Sequence, residues 1–254
     1  MRQADSLVVL GCRVDAVGPD EAVARIAQLA NAGGAALVVT LGVEMVMAAR
    51  TDATFRRIVN DAALVTCDTI GLLIASRLRG GPLRERVPGV ELVPALAARS
   101  ASTGDVRLYL LGGGGDTAQR AAEALRRDFP GATIAGARDG YFAPEESAAV
   151  AAAIRASGAN VLLAGLGSPK QELWLSQYLA ATGCGVGIGV GGSLDVYAGN
   201  VVRAPALVRR TGLEWAYRLA TDPSRWRRQL ALPRFALAAL GETLTRGRAG
   251  KRPN

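Results

Sequence analysis

NVLLAGLGSPKQELW, residues 160–174, is the stretch whose reading decides the fold. An apolar run, VLLAGLG, stops at Ser168-Pro169 and opens into a helical pattern whose first turn carries Lys170, Gln171 and Glu172. A buried strand that feeds a helix through glycines is the repeating unit of a parallel α/β sheet, and ligands bind at the exits of such strands. The same alternation runs through most of the chain. SLVVLG reads as a first strand, and PDEAVARIAQLAN as a helix opened by Pro19 with acids in its first turn. AALVVT, ALVTCD, VRLYLLG, ATIAGA and GVGIGVGG read as further strands with helices between them. The expectation is an α/β fold: a Rossmann-like, mostly parallel sheet with helices on both faces.

Such a sheet collects its strand exits along one edge. Thr40, Asp68, Gly112 to Gly115, Gly165 to Gly167 and Gly191 to Asp195 all fall at predicted exits and define the expected rim of the site. LLGGGGDTAQ has the strand–glycine–helix layout of a phosphate cradle, in which backbone N–H groups of Gly112, Gly113 and Gly114 and a helix N-terminus receive an anion. It is neither a dinucleotide fingerprint nor a Walker A sequence. Asp68 reads either as a general base at a cleft or as the N-cap of the helix starting at Ile70. Asp195 reads either as an acceptor for a ribose hydroxyl or as a cap.

Composition narrows the chemistry. The 254-residue chain is half hydrophobic, enough for one large domain or a domain with an appendage. It contains no histidine, so Ser-His and Cys-His catalysis and His-based metal sites are excluded. A general base must then be a carboxylate, lysine, tyrosine or cysteine. Three widely spaced cysteines match neither a disulfide framework nor a metal motif. The start lacks the features of a secretory signal, and no uninterrupted apolar run is long enough to span a bilayer.

The net charge of +8 is unevenly placed. Residues 203–254 carry 12 Arg and Lys against three acids, whereas residues 1–202 are nearly neutral. We expect an α/β catalytic domain over 1–202 and a basic, amphipathic helical appendage over 203–254. Arg218, Arg225 and Arg228 in that arm suit phosphate-bearing partners or an anionic membrane surface. A solvated helix packed on the domain is the plainer alternative. The near-neutral body and the absence of a nucleic-acid motif argue against a nucleic-acid partner.

GLGSPKQE, GYF, VGGSLDVYAGNVVRAP and GLEWAYRLATDPSRWRR, in that order, resemble the WecG/TagA/CpsF glycosyltransferases. TLGVEMVMAA, Cys67-Asp68 and RVPGVEL fit the same pattern, so the resemblance spans about Leu7 to Arg228. It implies an inverting transferase that moves a sugar from a UDP-sugar to a polyprenyl-diphosphate-linked saccharide, without metal or other cofactor. The product would be teichoic acid, capsule or exopolysaccharide, made peripherally at the cytoplasmic face of the cell membrane. By resemblance, Asp68 is the base, Thr40 holds the sugars, Arg86 lies close to Asp68, and Gln171 faces the substrate pocket. Tyr141 would stack on uracil, Asp195 would accept from the ribose, and Gly167 and Gly192 would shape the turns beside them. Arg218, Arg225 and Arg228 would meet a diphosphate. Two positions depart from the pattern: Gly42 stands where it has Asn, and Thr69 where it has Gly. A non-catalytic or altered-specificity member and, less favoured, an NAD-dependent oxidoreductase are the alternatives, and self-association into a homo-oligomer stays open.

Overall fold

The structure, a computed structural model, describes residues 5–205 and 230–249 and the isolated positions 208, 216, 217 and 219. Six strands form one parallel sheet: β3 (Ala36–Leu41), β4 (Leu64–Cys67), β5 (Arg107–Gly112), β6 (Thr133–Arg138), β7 (Val161–Gly165) and β8 (Val186–Gly189). Their order across the sheet is β4-β3-β8-β7-β5-β6. The inner strands are apolar without a polar face because both faces are covered. Alternate residues go to different cores. Val38, Leu108, Leu110, Leu163 and Ile188 face one side, where α1 (Pro19–Ala30), α5 (Gly89–Thr103) and α6 (Thr117–Asp128) pack. Val39, Leu41 and Val65 face the other, beneath α2 (Val43–Thr51), α3 (Ala53–Asp61) and α4 (Ile70–Leu78). Further along that second face, Leu111, Leu162 and Ala164 meet α7 (Ser147–Ala156) and α8 (Lys170–Thr182).

The helices follow from their spacing. In α6, Ala118, Ala121, Ala122 and Leu125 are buried at helical intervals, and the Arg and Glu between them face outward. In α1, Pro19 occupies the first turn, where its missing N–H costs no hydrogen bond. The expected Rossmann-like sheet with helices on both faces is therefore present.

The first segment differs from the expectation. SLVVLG does not begin the strand–helix alternation. β1 (Ser6–Val9) instead pairs antiparallel with β2 (Cys12–Asp15) in a separate hairpin. Its two-residue turn, Leu10-Gly11, holds both residues at positive φ, the geometry that joins antiparallel strands most tightly. The hairpin covers the outer edge of the sheet through side chains. Asp15 Oδ2 accepts from the Val65 N–H of edge strand β4 at 2.8 Å, and Asn60 Oδ1 accepts from the Arg13 N–H at 2.8 Å.

The basic C-terminal segment contributes a helix, Ala231–Ala249, to the body. Phe235 and Ala239 lie in the same apolar cluster as α2, α4 and the hairpin. A polar latch surrounds this contact. Glu242 Oε2 accepts from Arg79 Nη2 at 2.7 Å and from the Leu10 N–H at 3.0 Å. Arg79 also donates to Thr243 Oγ1, the Ala239 carbonyl and the Val8 carbonyl. One guanidinium thus joins α4, the hairpin and the C-terminal helix. Phe235→Ala is expected to lower the stability of the whole chain by about 3 kcal/mol, from lost burial and the cavity left behind. Urea unfolding of the full-length protein measures this, and a change below about 1 kcal/mol would mean that the helix is not part of the cooperative unit.

Candidate active site

The exits of β3, β4 and β8 converge on one glycine. Asp68 follows β4, its N–H donating to the Leu41 carbonyl at 3.0 Å. Its Oδ1 accepts from the Gly89 N–H, at the first residue of α5, at 3.1 Å. On the other side of Gly89 is the Thr40 hydroxyl, which donates to the Gly189 carbonyl at the end of β8 at 2.7 Å. A Cβ on Gly89 would lie 3.1 Å from Val190 Cα and 3.3 Å from Thr40 Oγ1, so only glycine fits without movement. The segment before it is strung along β4: the Val87 N–H donates to the Cys67 carbonyl, and Thr66 Oγ1 donates to the Val87 carbonyl. This brings half-buried Arg86 to the same exit, where its charge and that of Asp68 both act on Cys67. Asp68 is not the N-cap of α4; Thr69 occupies that position.

The two departures from the family pattern touch each other. A Cβ on Gly42 would lie 3.3 Å from Thr69 Cγ2 and 3.9 Å from Asp68 Oδ2. Gly42 is the N-cap of α2 and has no side chain to cap it, but Thr69 Oγ1 accepts from the Val43 N–H at 3.3 Å. Thr69 therefore occupies the space beside Gly42 and satisfies one of the free N–H groups at the start of α2, whose N-cap has no side chain.

A second half of the rim lies across the sheet, at the exits of β5 and β7. Gly112 and Gly113 have positive φ, and Gly112 runs so close to the Gly165 backbone that a Cβ would lie within 2.7 Å of it. Gly114 lies under the Tyr141 ring, with a Cβ there 3.2 Å from Cε2. Tyr141 is 82% exposed. Its neighbour Phe142 is anchored edge-on to Trp174 and has the cations of Arg138 and Lys170 each less than 6 Å from its ring centroid. Asp195 lies on α9 (Ser193–Tyr197), whose N-cap is Gly192, so Asp195 is not the cap. Asn200 ties it to the cradle by donating to both Asp195 Oδ1 and Thr117 Oγ1, while Thr117 Oγ1 donates to the Gly114 carbonyl. Tyr141, Gly112 to Gly114 and Asp195 thus share one end of the rim, and Thr40, Asp68 and Arg86 the other.

Gln171 lies between them but is only 3% exposed. Its N–H caps the Gly167 carbonyl, where Gly167 turns the chain with positive φ. Its Oε1 accepts from the Gly191 N–H at 3.1 Å, and its Nε2 donates to Glu172 Oε1 at 2.7 Å. Sequence reading passed over Glu172, because an acid in the first turn of a helix is ordinarily a solvated dipole partner. Here it is fully buried. Gly89 was missed as well, since Pro-Gly reads as a turn. Arg218, Arg225 and Arg228 lie outside the described residues.

Cysteine is unsuited to the role of base. Burial, reinforced by the Asp68 charge, pushes the Cys67 thiol up to about 12, against the weaker pull of Arg86. Burial likewise raises Cys12 to about 11 and lifts Cys184.

Three substitutions probe the first half of the rim. Gly89→Ala is expected to cost about 1–3 kcal/mol in urea unfolding, through the forced separation of Thr40, Val190 and Asp68. A fully active variant of unchanged stability would mean that the close approach is dispensable. Gly42→Asn should destabilise alone by about 1 kcal/mol by crowding Thr69, and Thr69→Gly by a similar amount through loss of the cap. The double variant should recover most of the loss, and simple additivity would show that the two positions are not coupled.

The model of the glycosyl transferase WecG/TagA/CpsF family matches residues 7–249. An N-acetylglucosaminyldiphosphoundecaprenol N-acetyl-beta-D-mannosaminyltransferase of Bacillus spizizenii is 36% identical over 205 residues, covering 81% of this chain and 79% of that protein. The protein of the same name from Bacillus subtilis is 33% identical over 207 residues, covering 82% and 80%. The chain belongs to the WecG/TagA/CpsF family of glycosyltransferases.

Proposed function

We propose that this glycosyltransferase moves a sugar from a UDP-sugar to a saccharide carried on a polyprenyl diphosphate, with inversion and without a metal. The juxtaposition of Asp68 and Thr40 around Gly89 at the exits of β3, β4 and β8 carries the reading. A carboxylate at a strand exit can take the proton of an acceptor hydroxyl as that oxygen attacks the anomeric carbon. The UDP leaves from the opposite face, which inverts the centre. Thr40 and Arg86 orient the reacting sugar and the base. The relatives' names support an acceptor of GlcNAc on a diphosphoundecaprenol and an N-acetylmannosaminyl donor group.

The second half of the rim supports a nucleotide diphosphate. Tyr141 offers an exposed aromatic face beside the glycine cradle, and Asp195 lies one hydrogen-bonded residue away for the ribose. Backbone N–H groups at Gly112 to Gly114 would take the phosphates, and Arg218, Arg225 and Arg228 would add charge to the leaving diphosphate. The chain has no histidine, so the charge stabilisation this reading needs comes from arginine and backbone donors.

We assign residues 203–254 to an arm that meets the membrane and completes the site. Its charge excess suits an anionic surface. Leu230, Leu237 and Leu240 are exposed, and the adjacent α4 exposes Ile74 and Leu78. Among the described residues no helix is long and apolar enough to cross a membrane, so the contact proposed is peripheral, at the cytoplasmic face.

The test is UDP release from a panel of UDP-sugars with a polyprenyl-diphosphate-GlcNAc analogue, in EDTA. Acceptor-dependent release is expected with UDP-N-acetylmannosamine. Asp68→Asn should slow it by about 10²–10⁴-fold with UDP affinity preserved. Undiminished turnover in that variant would remove Asp68 as the base, and a strict requirement for added divalent ion would overturn metal independence.

A further inference from the structure

Glu172 is the one fully buried carboxylate among the described residues, and the proton-transfer reading above does not use it. It sits in the first turn of α8, with Oε1 accepting from Gln171 Nε2 at 2.7 Å. Its Oε2 is buried and makes no hydrogen bond of ordinary geometry among the described residues, with the Ser168 side chain acting on the carboxyl only weakly. Burial pushes the carboxyl up from the ordinary glutamate range, and the Gln171 amide, Ser168 and its own backbone only partly offset this. Removing a carboxyl from water in this way is costly, and a helix needs no acid there to fold.

Its position accounts for its presence. A Cβ on Gly189, the last residue of β8, would lie 2.5 Å from Gln171 Nε2 and 2.7 Å from Glu172 Oε1, so both side chains lie flat against that strand end. The Gly191 N–H can only donate, so the carboxamide oxygen of Gln171 must face it. The amide nitrogen then points the other way, towards Glu172 Oε1, which accepts in either protonation state. A flipped carboxamide would set an N–H against the Gly191 N–H. Glu172 and the Gly191 N–H therefore hold Gln171 in one orientation from its two ends, and through Gln171 the carboxyl anchors Gly191. The same strand end presents the Gly189 carbonyl to the Thr40 hydroxyl.

We propose that Glu172 is a positioning residue: through the Gln171 carboxamide it fixes the Gly189–Gly191 exit of β8 against which Thr40 is oriented. It touches no substrate and transfers no proton. Its catalytic consequence rests on the glycosyltransferase reading above, whereas its structural consequence does not. Two readouts therefore separate them in the full-length protein.

The first is hydrogen exchange at the Gly191 amide, which needs no turnover. Glu172→Leu should speed it by about tenfold or more, because the carboxamide loses its anchor, whereas Glu172→Gln should keep it within about threefold. Glutamine has the same shape and an oxygen that can accept from Gln171. Gln171→Met severs the same chain from the other side and should match the leucine variant, which keeps the test decisive if that variant does not fold. The second readout is transfer with the UDP-sugar and acceptor analogue. Glu172→Leu should lower kcat by about tenfold or more with the Kd for UDP unchanged, and Glu172→Gln should restore most of it. Combined with Gln171→Met, Glu172→Leu should add no further loss. Unchanged Gly191 exchange in folded Glu172→Leu or in Gln171→Met would overturn the proposal, as would losses that multiply in the double variant. If the wild type transfers no sugar, the functional reading fails, and the Gly191 exchange still decides the role of Glu172.

Discussion

The approach of Gly89 to Val190 and Thr40 is the constraint on which the proposed catalytic half of the site depends. Three strands end there, and each brings one group: Asp68 from β4, Thr40 from β3, and the Gly189 carbonyl from β8. None of these is near another in sequence. They meet because the N-terminus of α5 is drawn in as bare backbone, with its first N–H on the Asp68 carboxylate. A helix N-terminus favours negative charge at that point, and Asp68 is the acid that the fold places there. Extended pairing of residue 87 with Cys67 and Thr66 sets how far α5 can retreat.

Much of this was legible in the sequence, for a definite reason. Parallel strands buried on both faces leave continuous apolar runs, and their ends are marked by the first polar or glycine residue. Thr40, Asp68, Gly112 and Gly165 could therefore be placed on one edge from spacing alone. Gly89 could not, because its importance comes from what lies across from it, and a Pro-Gly turn carries no record of that. Glu172 was hidden for a related reason. Its burial goes with the absence of a side chain on Gly189, on a strand remote in sequence from its helix, and no local pattern signals such a vacancy. The hairpin was missed because a short strand ending in Leu-Gly looks the same whether a helix or a second strand follows.

The C-terminal segment combines an excess of charge with packing on the body. Its excess of arginine marks it as an arm, yet the helix it contributes inserts Phe235 into the cluster shared by α2, α4 and the hairpin. Arg79 reads this helix from the body side: its guanidinium meets a carboxylate, a hydroxyl and a carbonyl of the helix and one carbonyl of the hairpin. A partly buried pair of this kind adds little net stability, since desolvation opposes the attraction, but losing either partner strands the other. The pair therefore acts mainly on placement, setting the rotation at which the helix presents Leu237 and Leu240 outward.

Between its two ends the rim is almost bare. The exits of β7 and β8 are so close that a Cβ on Gly165 would lie 2.8 Å from the Gly191 carbonyl oxygen, and Gly189 has no room for one either. Side chains with chemistry are thereby kept to the flanks: Thr40, Asp68 and Arg86 on one, Tyr141 and Asp195 on the other. A floor of backbone between a carboxylate and an aromatic face suits a ligand with a flat base at one end, a reacting sugar at the other and a diphosphate between. Bulk anywhere along that floor would divide the site in two. The glycines of GLGSPKQE and VGGSLDV therefore serve a single end: they keep the middle low, while the buried Gln171–Glu172 pair beneath stops it from shifting.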